Sequence, residues 1–335
     1  MPTDYILFNH GVNDRDVHVQ ATYADSLFEL LQRSYQGAPQ RTLKKVALYW
    51  GDVNQDEEQR LLAAYQASGI WEKMWFRSLR ETTILRFVGD GALYLSRYVG
   101  AKVADVLKEQ TLSGLASFNP EEDRLHLVTH SMGTIILFDM LFSARWDPEY
   151  VPGHDSVDAL RSLFFGVGPA PQCGIRLGSI STLGSPLGFF SLLDVNQSME
   201  DATDGLGNVL NSHDITPRLE QMLASLLHVQ GYKLPWYNFV HPGDPVAYPL
   251  EKLLPQLVDK NNYYIDTQDL LISPMGLTDR LTMPISQDAL ALLHGMEAHG
   301  AYWESSQVAQ KIVQAIEKAV IPPSFLSSSQ SAKES

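Results

Sequence analysis

Cysteine is nearly absent: Cys173 is the only one in 335 residues. One thiol forms no intrachain disulfide and no multi-cysteine zinc or iron–sulfur site, a usage that suits a reducing compartment. Positive charge is also scarce. The 25 Lys and Arg against 39 Asp and Glu leave a formal charge of −14, a poor basis for the cationic contacts on which nucleic-acid binding depends. No nucleic-acid partner is expected. Long apolar runs are missing as well, since nothing approaches the ~18 residues of a spanning helix. The start, Met1-Pro-Thr-Asp-Tyr-Ile-Leu-Phe-Asn-His10, has no basic n-region and no apolar h-region, so a cytoplasmic protein is expected. Any membrane contact would be peripheral and not charge-driven, because anionic lipid repels a chain of this charge.

What is present is core-forming material. Apolar residues make up 44% of the chain, with 13 Phe, 14 Tyr and 6 Trp, enough to bury a sizeable interior. Short runs rich in β-branched and aromatic residues recur: Tyr5–Phe8, Lys45–Trp50, Leu125–Val128, Leu177–Leu183 and Trp236–Val240. Helical patterns such as Tyr23–Tyr35 and Glu57–Ala67 lie between them. This alternation predicts an α/β fold, a mainly parallel sheet with helices on both faces. Residues 1–325 are expected to form one domain, with helical cap insertions near 53–122 and 194–233 and a polar tail over 326–335.

Within the insertions, Ile84–Leu107 is expected to be helical, with Tyr94, Tyr98, Val99 and Val103 on its faces. Thr216 as N-cap and Pro217 in the first turn open another helix, whose Leu219, Met222, Leu223, Leu226 and Leu227 form an apolar stripe. Such a stripe is either core packing or a lid facing an apolar substrate.

In parallel sheets, functional loops gather at the carboxyl ends of the strands. Each of the five runs ends in polar or Gly-rich sequence. The most informative is Leu125-His-Leu-Val-Thr-His-Ser131-Met-Gly133, followed by the apolar Ile135-Ile-Leu-Phe138. A strand, a tight turn holding a serine, and a helix are what a nucleophile elbow requires. Gly133 lets the helix approach the sheet, and the helix N-terminus favours an anion beside the serine, with the Met132 N–H as first oxyanion donor. Thr129 stands where the G-x-S-x-G pattern has its first glycine. A serine at this point is otherwise simply a helix cap.

A serine nucleophile needs a base, an orienting carboxylate and a second N–H. His10-Gly11-Val12 follows the first strand, where the Val12 N–H is the expected second oxyanion donor, Gly11 permitting the turn. Asp244, between Pro242 and Pro245, is the expected carboxylate, with Asp52 and Asp194 as rivals and an ordinary turn aspartate as the plainer reading. Ten histidines compete for the base. His299, read as a loop residue before the last helix, Ser306–Val320, is expected ahead of His294, and His130 is expected to point away from the serine. No cofactor or metal is expected: Asp52–Asp56 lacks the glycine and glutamate of a calcium loop, and Asp204-Gly-Leu-Gly207 lacks the third glycine of a dinucleotide site.

The order Ser131, Asp244, His299 with an early His-Gly loop resembles the α/β-hydrolase superfamily over nearly the whole chain. The Thr-His-Ser-Met-Gly elbow, Ser181-Thr-Leu-Gly-Ser-Pro186 and His-Pro-Gly-Asp-Pro-Val246 are similar to the lipase and esterase branch, including lipase-like proteins related to glycosylphosphatidylinositol-inositol deacylase. The resemblance implies a serine esterase working through an acyl-serine, on a carboxylic ester or a lipid. A catalytically silent binding protein of the same fold, or an acyltransferase or thioesterase using the same triad, remain the alternatives.

Overall fold

The structure is a computed structural model. It describes residues 1–11, 21–35, 41–53, 55–77, 80–81, 85, 91, 94, 97–164, 174–190, 217–259, 261–272 and 297–319. Val12, Cys173, Asp194, His294, the polar start of the second insertion and the tail lie outside these residues.

Among the described residues six strands form one parallel sheet: β1 Thr3–Asn9, β2 Thr42–Leu48, β3 Arg124–His130, β4 Arg176–Leu183, β5 Leu234–Val240 and β6 Ile265–Leu271. Their order is β2-β1-β3-β4-β5-β6. Alternate residues of β1 enter different cores, Tyr5 and Leu7 on one face, Ile6 and Phe8 on the other. That is why its sequence is a continuous apolar run.

On the first face pack helices α3 Arg97–Gly114, α4 Met132–Phe142, α5 His154–Leu163 and α6 Pro217–Gln230. On the second, α1 Asp25–Ser34 and α8 Ser306–Lys318 interlock through Leu27, Leu31, Val308, Ile312 and Ile316. Two further helices are α2 Gln55–Gln66 and α7 Leu253–Val258. All eleven residues of α4 are buried, as expected for a helix apolar all round. Its one charge, Asp139, accepts hydrogen bonds at Oδ2 from Tyr94 Oη (2.6 Å), Arg145 Nε (2.9 Å) and Trp146 Nε1 (3.0 Å), which offset the cost of burying a carboxylate.

Several expectations need correction. Tyr98 is 76% exposed rather than packed, although Tyr94 and Val103 are buried. The leucine-striped helix, by contrast, follows the core-packing reading: Met222, Leu223 and Leu226 are core residues. Residue 50 lies beyond β2: Trp50 is buried by stacking on His10, with ring centroids 5.2 Å apart, and not by strand pairing.

The sheet order fixes where a site can form. From β1 the chain runs outward to β2 and then crosses back to β3 on the other side of β1. The carboxyl ends of β1 and β3 therefore flank the topological switch point, where parallel α/β sheets open a crevice. Asn9-His10-Gly11 and His130-Ser131 lie at those two ends.

Candidate active site

Ser131 is the residue between β3 and α4. Its backbone, φ 52° and ψ −129°, lies in a region costly for a residue with a side chain, on the order of 1–3 kcal/mol. Its surroundings hold it there. The Ser131 N–H donates to Leu183 O at 3.0 Å, extending the β3–β4 ladder by one residue, and Ser131 O accepts from Thr134 N at 3.0 Å. Helix α4 then comes so close to β1 that a Cβ on Gly133 would lie 2.3 Å from His10 O. Asn9 Nδ2 locks this contact by donating to Gly133 O at 2.8 Å.

Thr129, the departure from the glycine pattern, is buried and shares a hydrogen bond with Thr134 Oγ1 at 2.9 Å. The elbow thus accommodates a larger residue by pairing its hydroxyl across the turn.

Gly11 also has a different reason from the one expected. Its φ is not positive; what it supplies is space, because a Cβ there would sit 2.6 Å from Ser131 Cβ and 3.1 Å from Ser131 Oγ. His10 braces the same stretch. Trp50 N donates to His10 Nε2 at 3.3 Å and Trp50 Nε1 to His10 O at 3.2 Å. With Nε2 accepting, the ring proton sits on Nδ1 and is donated to Gly11 O. Burial pushes the His10 pKa down to about 4, so the ring is neutral at neutral pH.

Asp244 and His299 meet at the same end of the sheet. His299 Nδ1 donates to Asp244 Oδ2 at 2.8 Å. The two oxygens of Asp244 divide the roles that sequence left open: Oδ1 accepts from Val246 N at 2.9 Å, as in an ordinary aspartate turn, and Oδ2 faces the histidine. Burial alone would raise the Asp244 pKa. The bonds from His299, Tyr302 and Val246 outweigh it and hold the carboxyl below its usual range. Room for this pair comes from Gly184 at the end of β4, with φ +54°, where a Cβ would lie 2.7 Å from Asp244 Oδ2 and 3.1 Å from His299 Nδ1. The rival Asp52 lies apart from it, bonded to Tyr49 Oη at 3.1 Å.

His299 is not a loop residue: residues 297–300 are helical and lead into the turn Ala301–Glu304. His130, next to the serine in sequence, packs on His299 with ring centroids 4.5 Å apart and donates from Nε2 to His299 O at 2.7 Å. Burial, reinforced by the neighbouring His299, pushes the His130 pKa down to about 3. His299 therefore has a neutral imidazole beside it.

Sequence reasoning missed three residues here. Asn9 and His130 have no local signal. Tyr302, whose hydroxyl donates to Asp244 Oδ2 at 2.7 Å, carries only its spacing of three residues from His299. Ser131 Oγ and His299 Nε2 are buried without a hydrogen-bond partner among the described residues, as is Asn9 Oδ1 at the same end of the sheet. Among the described residues there is no cluster that could hold a metal ion, and no helix long and apolar enough to cross a membrane.

The sheet order, with a serine elbow after β3, an aspartate after β5 and a histidine after β6, is that of the α/β-hydrolase fold, and the chain has that fold. No protein-family model matches it. A probable mitochondrial phospholipase of Saccharomyces cerevisiae is 28% identical over 179 residues, which are 50% of this chain and 19% of that protein. The chain thus spans about a fifth of that relative's length. Among solved structures, it is similar to a peroxisomal α/β-hydrolase of Saccharomyces cerevisiae, with 9% identity, 98% of this chain and 77% of that one covered, and a TM-score of 0.36. A thioesterase from the prodiginine pathway of Streptomyces coelicolor has 15% identity, covers 88% and 86%, and has a TM-score of 0.27. An acetyl xylan esterase has 10% identity, covers 93% and 97%, and has a TM-score of 0.28.

Proposed function

We propose that the protein is a serine esterase that cleaves carboxylic esters through an acyl-serine intermediate. Ser131 is the nucleophile, His299 the general base and acid, and Asp244 the carboxylate that orients the imidazole. One observation carries the reading: His299 Nδ1 is engaged by Asp244, while His299 Nε2 and Ser131 Oγ are both buried and make no hydrogen bond among the described residues. The engaged nitrogen fixes the tautomer and leaves Nε2 as the atom that takes a proton.

In the reaction, Ser131 Oγ bonds to the ester carbonyl carbon as its proton passes to His299 Nε2. The carbonyl π electrons move to oxygen, and this oxyanion lies at the N-terminus of α4, where the Met132 N–H, and in this proposal the Val12 N–H, receive it. Collapse expels the alkoxide, which leaves as an alcohol with the proton from Nε2. Water, deprotonated by the same nitrogen, then releases the acid and restores the serine.

The substrate class in this reading is an ester with an apolar acyl group, lipids included. The yeast relative's description as a probable phospholipase agrees with it. Labelling the purified protein with a fluorophosphonate tests the proposal. Modification at Ser131, abolished in Ser131→Ala, is the expected result, followed by turnover that rises with acyl chain length. Folded protein that stays unlabelled overturns the esterase reading, and a preference for short esters overturns the lipid part.

A further inference from the structure

Two donors converge on Asp244 Oδ2: His299 Nδ1 at 2.8 Å and Tyr302 Oη at 2.7 Å. The direction of the second bond is fixed. Tyr302 Oη also accepts from the His241 N–H at 2.9 Å, so its single proton has Asp244 as its acceptor. Tyr302 is fully buried, and its ring lies against the same Gly184 that makes room for the pair, where a Cβ would be 2.9 Å from Tyr302 Cε2. The base and this hydroxyl are carried on one stretch, His299 and the turn Ala301–Glu304.

We infer that Tyr302 is a positioning residue that sets both the orientation and the proton affinity of the His299 imidazole by sharing the charge of Asp244. A hydroxyl bonded to a carboxylate draws off part of its negative charge, and what it takes is not available to stabilise the imidazolium. Tyr302 itself stays protonated, because burial and the adjacent Asp244 push its pKa far up. In the absence of this donor, His299 would hold its proton to higher pH. Oδ2, anchored on one side only, would also let the ring swing. For catalysis the inference rests on the esterase reading; for the titration of His299 it does not.

The test follows the His299 imidazole by NMR titration in the full-length chain. Three forms are compared: wild type, Tyr302→Phe, and protein carrying 3-fluorotyrosine at position 302, a close steric match with a more acidic phenol. Tyr237→Phe is the control, since it removes another buried hydroxyl, one that accepts from Lys318 Nζ at 3.1 Å, away from Asp244. The midpoint is expected to move to higher pH in Tyr302→Phe and to lower pH with fluorotyrosine. On the acid side of the wild-type midpoint, fluorophosphonate labelling of Tyr302→Phe should slow several-fold, as for a base held protonated. Coincident midpoints, or an equal shift in Tyr237→Phe, overturn the inference. Where Tyr302→Phe fails to fold, the fluorotyrosine form decides. Absence of labelling in the wild type sinks the esterase proposal and leaves the titration as judge of Tyr302.

Discussion

Gly133 and His10 touch backbone to backbone: a Cβ on the glycine would lie 2.3 Å from the His10 carbonyl oxygen, and 2.7 Å from that of Asn9. Neither side can yield, since one belongs to the first turn of a fully buried helix and the other follows directly on a central strand and is itself buried. Gly133→Ala is therefore expected to cost about 3 kcal/mol or more, the upper end for overpacking. Chemical denaturation measures it. A loss below about 1 kcal/mol would show that α4 can slide, and that the elbow is held less rigidly than these contacts require.

Ser131 pays for its position in backbone strain. With φ 52° and ψ −129°, and with its hydroxyl making no hydrogen bond among the described residues, replacing it by glycine removes strain and breaks no bond. Ser131→Gly should be more stable than wild type by about 1 kcal/mol, the strain relief reduced by the extra chain entropy of glycine. It should also lose all fluorophosphonate labelling. Ser131→Ala keeps the Cβ and should show no such gain. Equal thermal stability of the two variants would mean that the serine backbone is relaxed.

How much of this was legible beforehand depended on burial. Strands β1, β3, β4 and β5 are buried almost throughout, so apolar residues mark each of them, most continuously in β1, while β3 and β4 also bury small or polar residues such as His126, Ser179 and Ser181. The last strand, Ile265-Asp-Thr-Gln-Asp-Leu-Leu271, is an edge strand, largely half-exposed or exposed, and its polar residues leave no apolar run to mark it. β2 was legible but displaced, because Tyr49 and Trp50 are apolar for a reason other than pairing: they stack on His10. Asp244 and His299 could be singled out by chain order and loop chemistry, and the structure brings them within 2.8 Å. Tyr302 and His130 could not. Their contacts with Asp244 and His299 depend on side-chain packing between separate elements, which no local pattern encodes.

Thr129 and Thr134 share a buried hydrogen bond across the elbow. Removing one hydroxyl leaves the other without a partner in a dry site, which costs more than the bond is worth. Thr129→Val and Thr134→Val alone should each destabilise by about 1–3 kcal/mol. The double variant should lose much less than the sum, giving a coupling energy of roughly 1 kcal/mol in a double-mutant cycle. Additive losses would mean that each hydroxyl is satisfied independently.

The two neutral histidines beside the site make stability depend on pH. His10 and His130 are buried with pKa values lowered to about 4 and about 3, against about 6.5 in an unfolded chain. Between those limits the unfolded state binds more protons than the folded one, so unfolding free energy rises with pH there. Their contribution is full above about pH 6.5 and declines as pH falls toward 4 and then 3. Denaturation midpoints measured from pH 7.5 down to 4.5 should fall steadily. His130→Asn should flatten that slope whatever it does to the absolute stability, because asparagine has no proton to gain. A slope as steep in the variant as in the wild type would mean that His130 is charged in the folded protein, which its buried place between Gly11 and His299 would then have to accommodate.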